Sequence, residues 1–267
     1  MNNLIHELKF ALYATKKNIQ NNTELRTSFI MNVVGMAINN CSLIIIWVYF
    51  VKSVGVIGGW AALDIIALQG FTAVTFGITF SAFFGVVHLP EYISSGAFDR
   101  FLLSPKNLIV RVATAKFRSS AVGDIVFGLI CLGIYAVAIH ANVYQILFTS
   151  ILILAGSMVF FAMALIIHGV GFFFVDGGVV ARGIFELFFT PALFHGGAFQ
   201  GVMRFVFTFI VPSLAIGTLP VESVRDFSVE KLLLVTILTI VWFLISLKAF
   251  AWSVRHYESA NFMTFGN

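Results

Sequence analysis

The stretch from Ile146 to Val175 reads ILFTSILILAGSMVFFAMALIIHGVGFFFV and contains no Asp, Glu, Lys or Arg. Coiled as an α-helix, such a run extends about 45 Å, more than the roughly 30 Å hydrocarbon core of a bilayer. It therefore reads as a membrane-spanning helix. Four more stretches on either side meet the same standard: Ser28 to Val51, Ile65 to Val87, Ser119 to Ile139, and Leu232 to Trp252. The whole composition agrees, with 60% hydrophobic and only 10% charged residues, where soluble domains carry about 25% charge. The fold class is an all-α membrane protein, and a nucleic-acid partner is excluded. The 31 Phe residues suit lipid-facing and helix-packing surfaces rather than an aromatic cage. Cys41 and Cys131 fall in separate apolar spans and suggest neither a disulfide framework nor a metal site.

Between the fourth and last spans the pattern breaks. Val179 to Phe199 carries Arg182, Glu186, Pro191 and His195, and Gly201 to Thr218 is interrupted by Pro212. Irregular backbone at membrane depth is tolerated only where protein buries it. One stretch is expected to cross and the other to turn back, so 179–218 counts as a fifth span with a re-entrant hairpin, making six spans.

Residues 1–27 form an amphipathic helix on the membrane surface. Leu4, Leu8, Ala11, Leu12, Thr15 and Ile19 make its apolar stripe, Lys9, Lys16 and Lys17 reach lipid headgroups, and Asn22 and Thr23 interrupt it before the first span. With six spans and the N-terminus inside, the cytoplasmic side receives Lys9, Lys16, Lys17, Arg26, Arg100, Lys106, Arg111, Lys116, Arg118, Arg182, Lys248 and Arg255. Lys52, Arg204, Arg225 and Lys231 remain outside. That bias puts both termini, including a 253–267 tail, in the cytoplasm.

No GxSxG or HExxH motif occurs, and no Lys follows a Gly, so the chain lacks a Walker A loop. If ATP drives the protein, another chain binds it. The polar residues inside the spans are the functional candidates: Asn32, Asn39 and Asn40 in the first span, Gln69, Thr72, Thr75 and Thr79 in the second, Asp124 in the third and His168 in the fourth. Thr72, Thr75 and Thr79 share one helical face, which suits either interhelical hydrogen bonds or a polar pathway lining. Asp124 is expected to pair with Arg118 or a neighbouring helix, His168 to pack with a hydrogen bond, Arg182 to pair with Glu186, and Arg204 to snorkel to the outer interface.

The longest loop, Leu89 to Arg118, contains EYISSGAFDRFLLSP from Glu91 to Pro105. Its Gly96, Asp99, Leu102, Leu103 and Pro105 resemble the G-x-x-D-x-x-L-L-x-P pattern of one branch of the ABC-2 type permeases, the membrane subunits of ATP-binding-cassette exporters. Gly58-Gly59-Trp60 with Asp64, and Pro191 followed by Arg204, Pro212 and Pro220, agree with the same branch in the same order. Ser104 stands where the family pattern often has a basic residue.

The resemblance implies a permease subunit that pairs with a second permease, in a homodimer or heterodimer, within a prokaryotic plasma membrane. The first, second and fifth spans would line the pathway between the two, with Asn39, Asn40, Gln69, Thr72, Thr75 and Thr79 as candidate lining. A short coupling helix would dock in a groove of a cytoplasmic ATPase, which holds the ATP and Mg; no cofactor belongs to this chain. The coupling residues would be Gly96, Phe98, Asp99, Arg100, Phe101, Leu102, Leu103 and Pro105. Gly96 permits a tight turn, and Phe98, Phe101, Leu102 and Leu103 supply an apolar anchor. Pro105 stops the helix, and Asp99 caps it, pairs with the ATPase, or pairs with Arg100 or Lys106. The alternatives in other classes are a stand-alone secondary transporter, a membrane scaffold subunit, and an enzyme acting on lipid-linked substrates.

Overall fold

The computed structural model describes residues 2–55 and 58–257. The remainder of the expected tail, 258–267, lies outside the described residues, as do the side chains of residues 2–4, 50, 52 and 54. The described chain is helical: α1 (Asn2–Glu24), α2 (Arg26–Val54), α3 (Ala62–Ala82), three short helices α4 (Leu89–Ser94), α5 (Asp99–Leu102) and α6 (Leu108–Ala113), then α7 (Ser120–Ala138), α8 (Val143–His168), α9 (Gly177–Phe189), α10 (Gly201–Phe205), α11 (Thr218–Arg225) and α12 (Val229–Val254). Five of them, α2, α3, α7, α8 and α12, are long and apolar enough to cross a membrane, with α8 continued by a 3-10 turn to Phe172.

The core is α3. Buried on nearly every side, it is wrapped by α2, α7, α8 and the broken segment after α8. Lipid is as apolar as leucine, so helices in a membrane associate through close packing and hydrogen bonds rather than by escaping water. Small residues make the close packing possible here. A Cβ on Gly128 of α7 would lie 2.6 Å from Val74 N and 2.7 Å from Gly70 O of α3, so the two backbones touch. Phenylalanines fill the seam where α3, α8 and α9 meet: Phe80, Phe160 and Phe188 are fully buried, and Phe76 lies 4.5 Å from Phe80 and 5.7 Å from Phe160, centre to centre. Edge-to-face ring pairs of this kind add about 0.5–1.5 kcal/mol each beyond their area.

The path of the chain follows from contacts with the two ends of α3. At one end, called here the loop end, Asn18 of α1 donates to Thr114 O at 2.7 Å and Tyr257, after α12, donates to Asp99 at 2.8 Å. At the other end stand Trp60, Asp64 and the starts of α8 and α12. The segment after α8 begins at the loop end, with Gly171 against Pro90, and reaches the far end, where the Gly197 backbone touches Gly58. It covers that distance as α9, a 3-10 turn Thr190–Leu193 containing Pro191, and a second turn Gly196–Ala198. From there α10 and a π-helical turn, Val206–Ile210, lead inward to Ser213, whose hydroxyl donates to Phe188 O at 2.6 Å. The chain then returns, and α11 comes to rest beside Trp60 and Asp64.

Three expectations are corrected. Asn22 and Thr23 do not interrupt α1: their side chains donate back to Asn18 O and Ile19 O, and the break falls at Leu25 instead. Arg204 does not snorkel; it pairs with the buried Glu222 at 2.7 Å. Among the described residues Arg182 and Glu186 form no ion pair, as suits a helical spacing in the less favourable order.

Candidate functional site

The residues at the loop end are positioned by one turn and one buried ring. Gly96 has φ +71°, a left-handed conformation that glycine adopts at little cost, and it folds the chain back after α4 so that Phe98 N donates to Tyr92 O at 2.8 Å. The single helical turn of α5 follows and ends before Ser104 and Pro105. Arg111 of α6 fixes this turn from beneath: one guanidinium nitrogen donates to Phe101 O at 2.6 Å and Arg100 O at 3.2 Å, and the group lies 5.6 Å from the Phe101 ring centre. Asn107 caps α6 by accepting from Ile109 N and Val110 N at 3.0 and 3.3 Å. Three short helices share the loop, and α5 lies within the motif where a short coupling helix is expected.

The apolar residues of the motif divide into two groups. Phe98 is fully buried within its own chain, 5.1 Å from Phe172 and 4.9 Å from Tyr257, while Phe101 is half-buried against Tyr92. Leu102 and Leu103 are exposed, Leu103 at 87%. Phe98 thus anchors the loop to the bundle, and the leucines are the apolar groups presented outward. Asp99 accepts from Tyr257 Oη at 2.8 Å, a tie to the end of α12 that loop-local reasoning could not supply. Arg100 and Pro105 are exposed beside the leucines.

Charge is concentrated around the same loop. Glu91 binds His88 at 2.7 Å and Lys116 at 3.6 Å, and the His88 hydrogen bond, followed by the Lys116 charge, holds its carboxyl below the usual range. Burial, with the Glu91 charge added, pushes the neighbouring Tyr92 hydroxyl up to about 12, so it stays protonated.

The polar residues of the second span are buried inside this chain. Gln69 donates to Leu193 O at 3.2 Å, Thr72 to Ala192 O at 3.2 Å, Thr75 to Phe71 O at 2.7 Å, and Thr79 to Thr75 O and Ser157 O at 2.8 and 3.0 Å. Gln69 and Thr72 thus hold α3 to the broken segment and Thr79 holds it to α8, while Thr75 bonds within α3 itself. In α2, Asn39 is exposed, whereas Asn40 donates to Asp124 Oδ1 at 2.7 Å. Asp124 thus pairs with a neighbouring helix rather than with Arg118, which bonds Ser120 at 2.8 Å and stacks on Phe76 and Phe84. His168 Nδ1 meets Ala164 O at 2.9 Å.

A further cluster was missed. At the far end Asp64, Arg225, Asp226, Lys231, Glu222 and Arg204 form one unbroken chain of ion pairs, with successive separations of 3.3, 3.1, 2.5, 3.4 and 2.7 Å. Arg225 also covers the Trp60 ring at 5.6 Å. The position of Asp64 just after Gly58-Gly59-Trp60 was the available signal, but its partner lies 161 residues away.

The sequence model of the ABC-2 family transporter proteins matches residues 37–261, from the middle of α2 past the end of α12. The chain belongs to this family. An ABC-2 family protein is a membrane transport component, not itself catalytic, and its family works with an ATPase partner. The match covers the loop, α3 and the far-end cluster together. Among curated proteins and among solved structures no match was found.

Proposed function

We propose that the chain is the permease subunit of an ABC exporter, with a separate cytoplasmic ATPase docking at the loop end and a second permease completing the pathway. The observation that carries this reading is the pair Leu102 and Leu103, exposed beyond the bundle on a turn held by Arg111 and wedged by Phe98, in a chain of the ABC-2 family. An apolar pair ringed by Arg100 and Lys106 suits a groove on a soluble partner. ATP and Mg belong to that partner. Phe98 carries motion of the docked loop to Phe172 and Tyr257, and so to α8 and α12 as well as to the adjoining second and third spans.

The count is six crossings, with 177–199 as the fifth and 201–225 as a hairpin entering from the far side. Support comes from the placement of α1 and Tyr257 at the same end, which needs an even number, and from the run of 177–197 along the whole of α3. α9 alone, about 20 Å long, is too short to cross. The cation bias supports a loop end on the cytoplasmic side, and the family reading supports a prokaryotic plasma membrane. Short loops at the other end leave no room for a capture domain, which favours export. The pathway would then run between two copies, along the exposed side of α9 and α2, with Asn39 facing it.

The experiment is affinity purification of the tagged chain from native membranes in mild detergent. An ATP-hydrolysing chain with a Walker A motif is expected to co-purify and to be lost with Leu103→Asp. A chain that isolates alone and still transports would overturn the reading in favour of a secondary transporter.

A further inference from the structure

A cavity of about 400 Å³ opens at the loop end between α3, α4, α8 and α9. Four phenylalanines form one wall: Phe76, Phe80, Phe84 and Phe185, with Phe80 at 5.8 Å from Phe185 and 6.3 Å from Phe84. Facing them are two guanidinium groups. Arg118 is held in place by stacking on Phe76 at 5.4 Å and Phe84 at 5.5 Å and by its Nε bond to Ser120; its charge reaches Asp124 only at longer range, and among the described residues it forms no ion pair. Arg182, from α9, makes no hydrogen bond or ion pair among the described residues. The one carboxylate on the lining, Glu91, is already engaged by His88 and Lys116. His168 closes the inner side; its Nδ1 is committed to Ala164 O, which leaves Nε2 for a ligand.

The two guanidinium groups, Arg118 half-buried and Arg182 exposed at the mouth, converge on a mostly aromatic space without an ion-pair partner of their own. Guanidinium forks recognise phosphate or carboxylate oxygens in pairs, and the phenyl wall takes an apolar body. The volume admits a head group and several methylenes, and the exposed Val179, Ile184 and Leu187 of α9 offer a surface for a longer tail. We infer that this cavity is the loop-end entry site of the pathway and that it takes an amphiphile with a phosphate or carboxylate head. The entry role rests on the permease reading above; the binding chemistry does not.

The full-length chain in an uncharged maltoside detergent is titrated with dodecyl phosphate, inorganic phosphate or dodecyltrimethylammonium, with binding read by native mass spectrometry. Dodecyl phosphate is expected to bind at least about tenfold more tightly than either of the others, since the ammonium amphiphile lacks the charge-assisted contacts and inorganic phosphate lacks the apolar body that the phenyl wall takes. Arg182→Gln should weaken it about tenfold with the melting midpoint unchanged, because Arg182 supports nothing in the fold. Arg118→Lys, which keeps the charge but loses the fork, should fall between wild type and Arg118→Gln. Equal binding by wild type and Arg182→Gln, or equal binding of the ammonium amphiphile, overturns the site. Inorganic phosphate binding as tightly as dodecyl phosphate overturns the amphiphile and leaves a soluble phosphate as ligand. In a second arm the co-purified ATPase is added. Binding without stimulated hydrolysis overturns the entry role and counts against the permease reading while the site stands; stimulation by other compounds, with no dodecyl phosphate bound, overturns the site alone.

Discussion

The two ends of the bundle treat charge in opposite ways. At the far end three acids and three bases, Asp64, Glu222 and Asp226 with Arg204, Arg225 and Lys231, are joined in one chain of ion pairs that ties the start of α3 to α10, α11 and α12. At the loop end cations outnumber carboxylates, Arg118 and Arg182 face a cavity whose one lining acid, Glu91, is engaged by His88 and Lys116, and Leu102 and Leu103 stand exposed. One end is completed within the chain, whereas the other leaves charge and apolar surface for something else. The difference also bears on insertion: a self-neutralised end contributes no net charge, so the orienting signal comes from the loop end.

The largest effect that tests this contrast is expected at the exposed leucines. Leu102→Asp with Leu103→Asp should cost about 3 kcal/mol of ATPase binding, over a hundredfold, as loss of a central apolar anchor does. The melting midpoint should not move, since neither side chain is buried. A fall in stability equal to the fall in binding would mean that the loop end is as closed as the far end.

Next is Glu222→Gln at the far end. Its side chain is only 7% exposed and faces Arg204 and Lys231. Breaking a buried pair costs about 3–5 kcal/mol, and because the two cations are partly solvated the expectation is about 2 kcal/mol, read as a lower melting midpoint in detergent. ATPase binding should be unaffected. Tyr257→Phe at the loop end is smaller, about 1 kcal/mol for one hydrogen bond to Asp99, because the ring contacts with Phe98 and Phe172 survive. Its informative readout is coupling: substrate-stimulated hydrolysis should fall more than basal hydrolysis if motion passes through Phe98 into α12.

How much of this was legible follows from the range of each interaction. The long helices announce themselves by length and apolarity, which are local properties, and α2, α3, α7, α8 and α12 fall close to the stretches read from sequence. The glycine, aspartate and leucine spacing located the loop end for the same reason. What stayed hidden depends on partners far along the chain. Phe98 and Phe101 are equivalent by pattern, and only Phe172 and Tyr257 turn the first inward. Arg204 reads as an isolated interfacial cation until the irregular path through Pro212 and Pro220 brings Glu222 to it. Thr72, Thr75 and Thr79 share one face by helical periodicity, but whether such a face bonds a neighbour or lines a pathway turns on Ala192 O and Ser157 O, which no periodicity reveals.

The smallest expected difference between the ends lies in their response to acid. The Glu91 carboxyl is held below its ordinary 4.5 by the His88 hydrogen bond and then by Lys116. At Asp226 burial works in the other direction, but the hydrogen bonds from Lys231 and Arg225 outweigh it and hold the group below 3.8. A carboxyl whose folded pKa is depressed stabilises the fold above its unfolded value and loses that contribution as the pH drops through the folded one. The Glu91 contribution should therefore begin to fade near pH 4.5, before that of Asp226 near pH 3.8. Glu91 is 64% exposed, so solvent and salt screen the interaction to roughly 0.3 kcal/mol. The midpoint difference between wild type and Glu91→Gln should be small at pH 7, reduced by high salt and lost as the pH falls below 4.5 through the depressed folded value, while the difference for Asp226→Asn persists to lower pH. If the Asp226 difference vanished first, the far-end network would be the more open of the two.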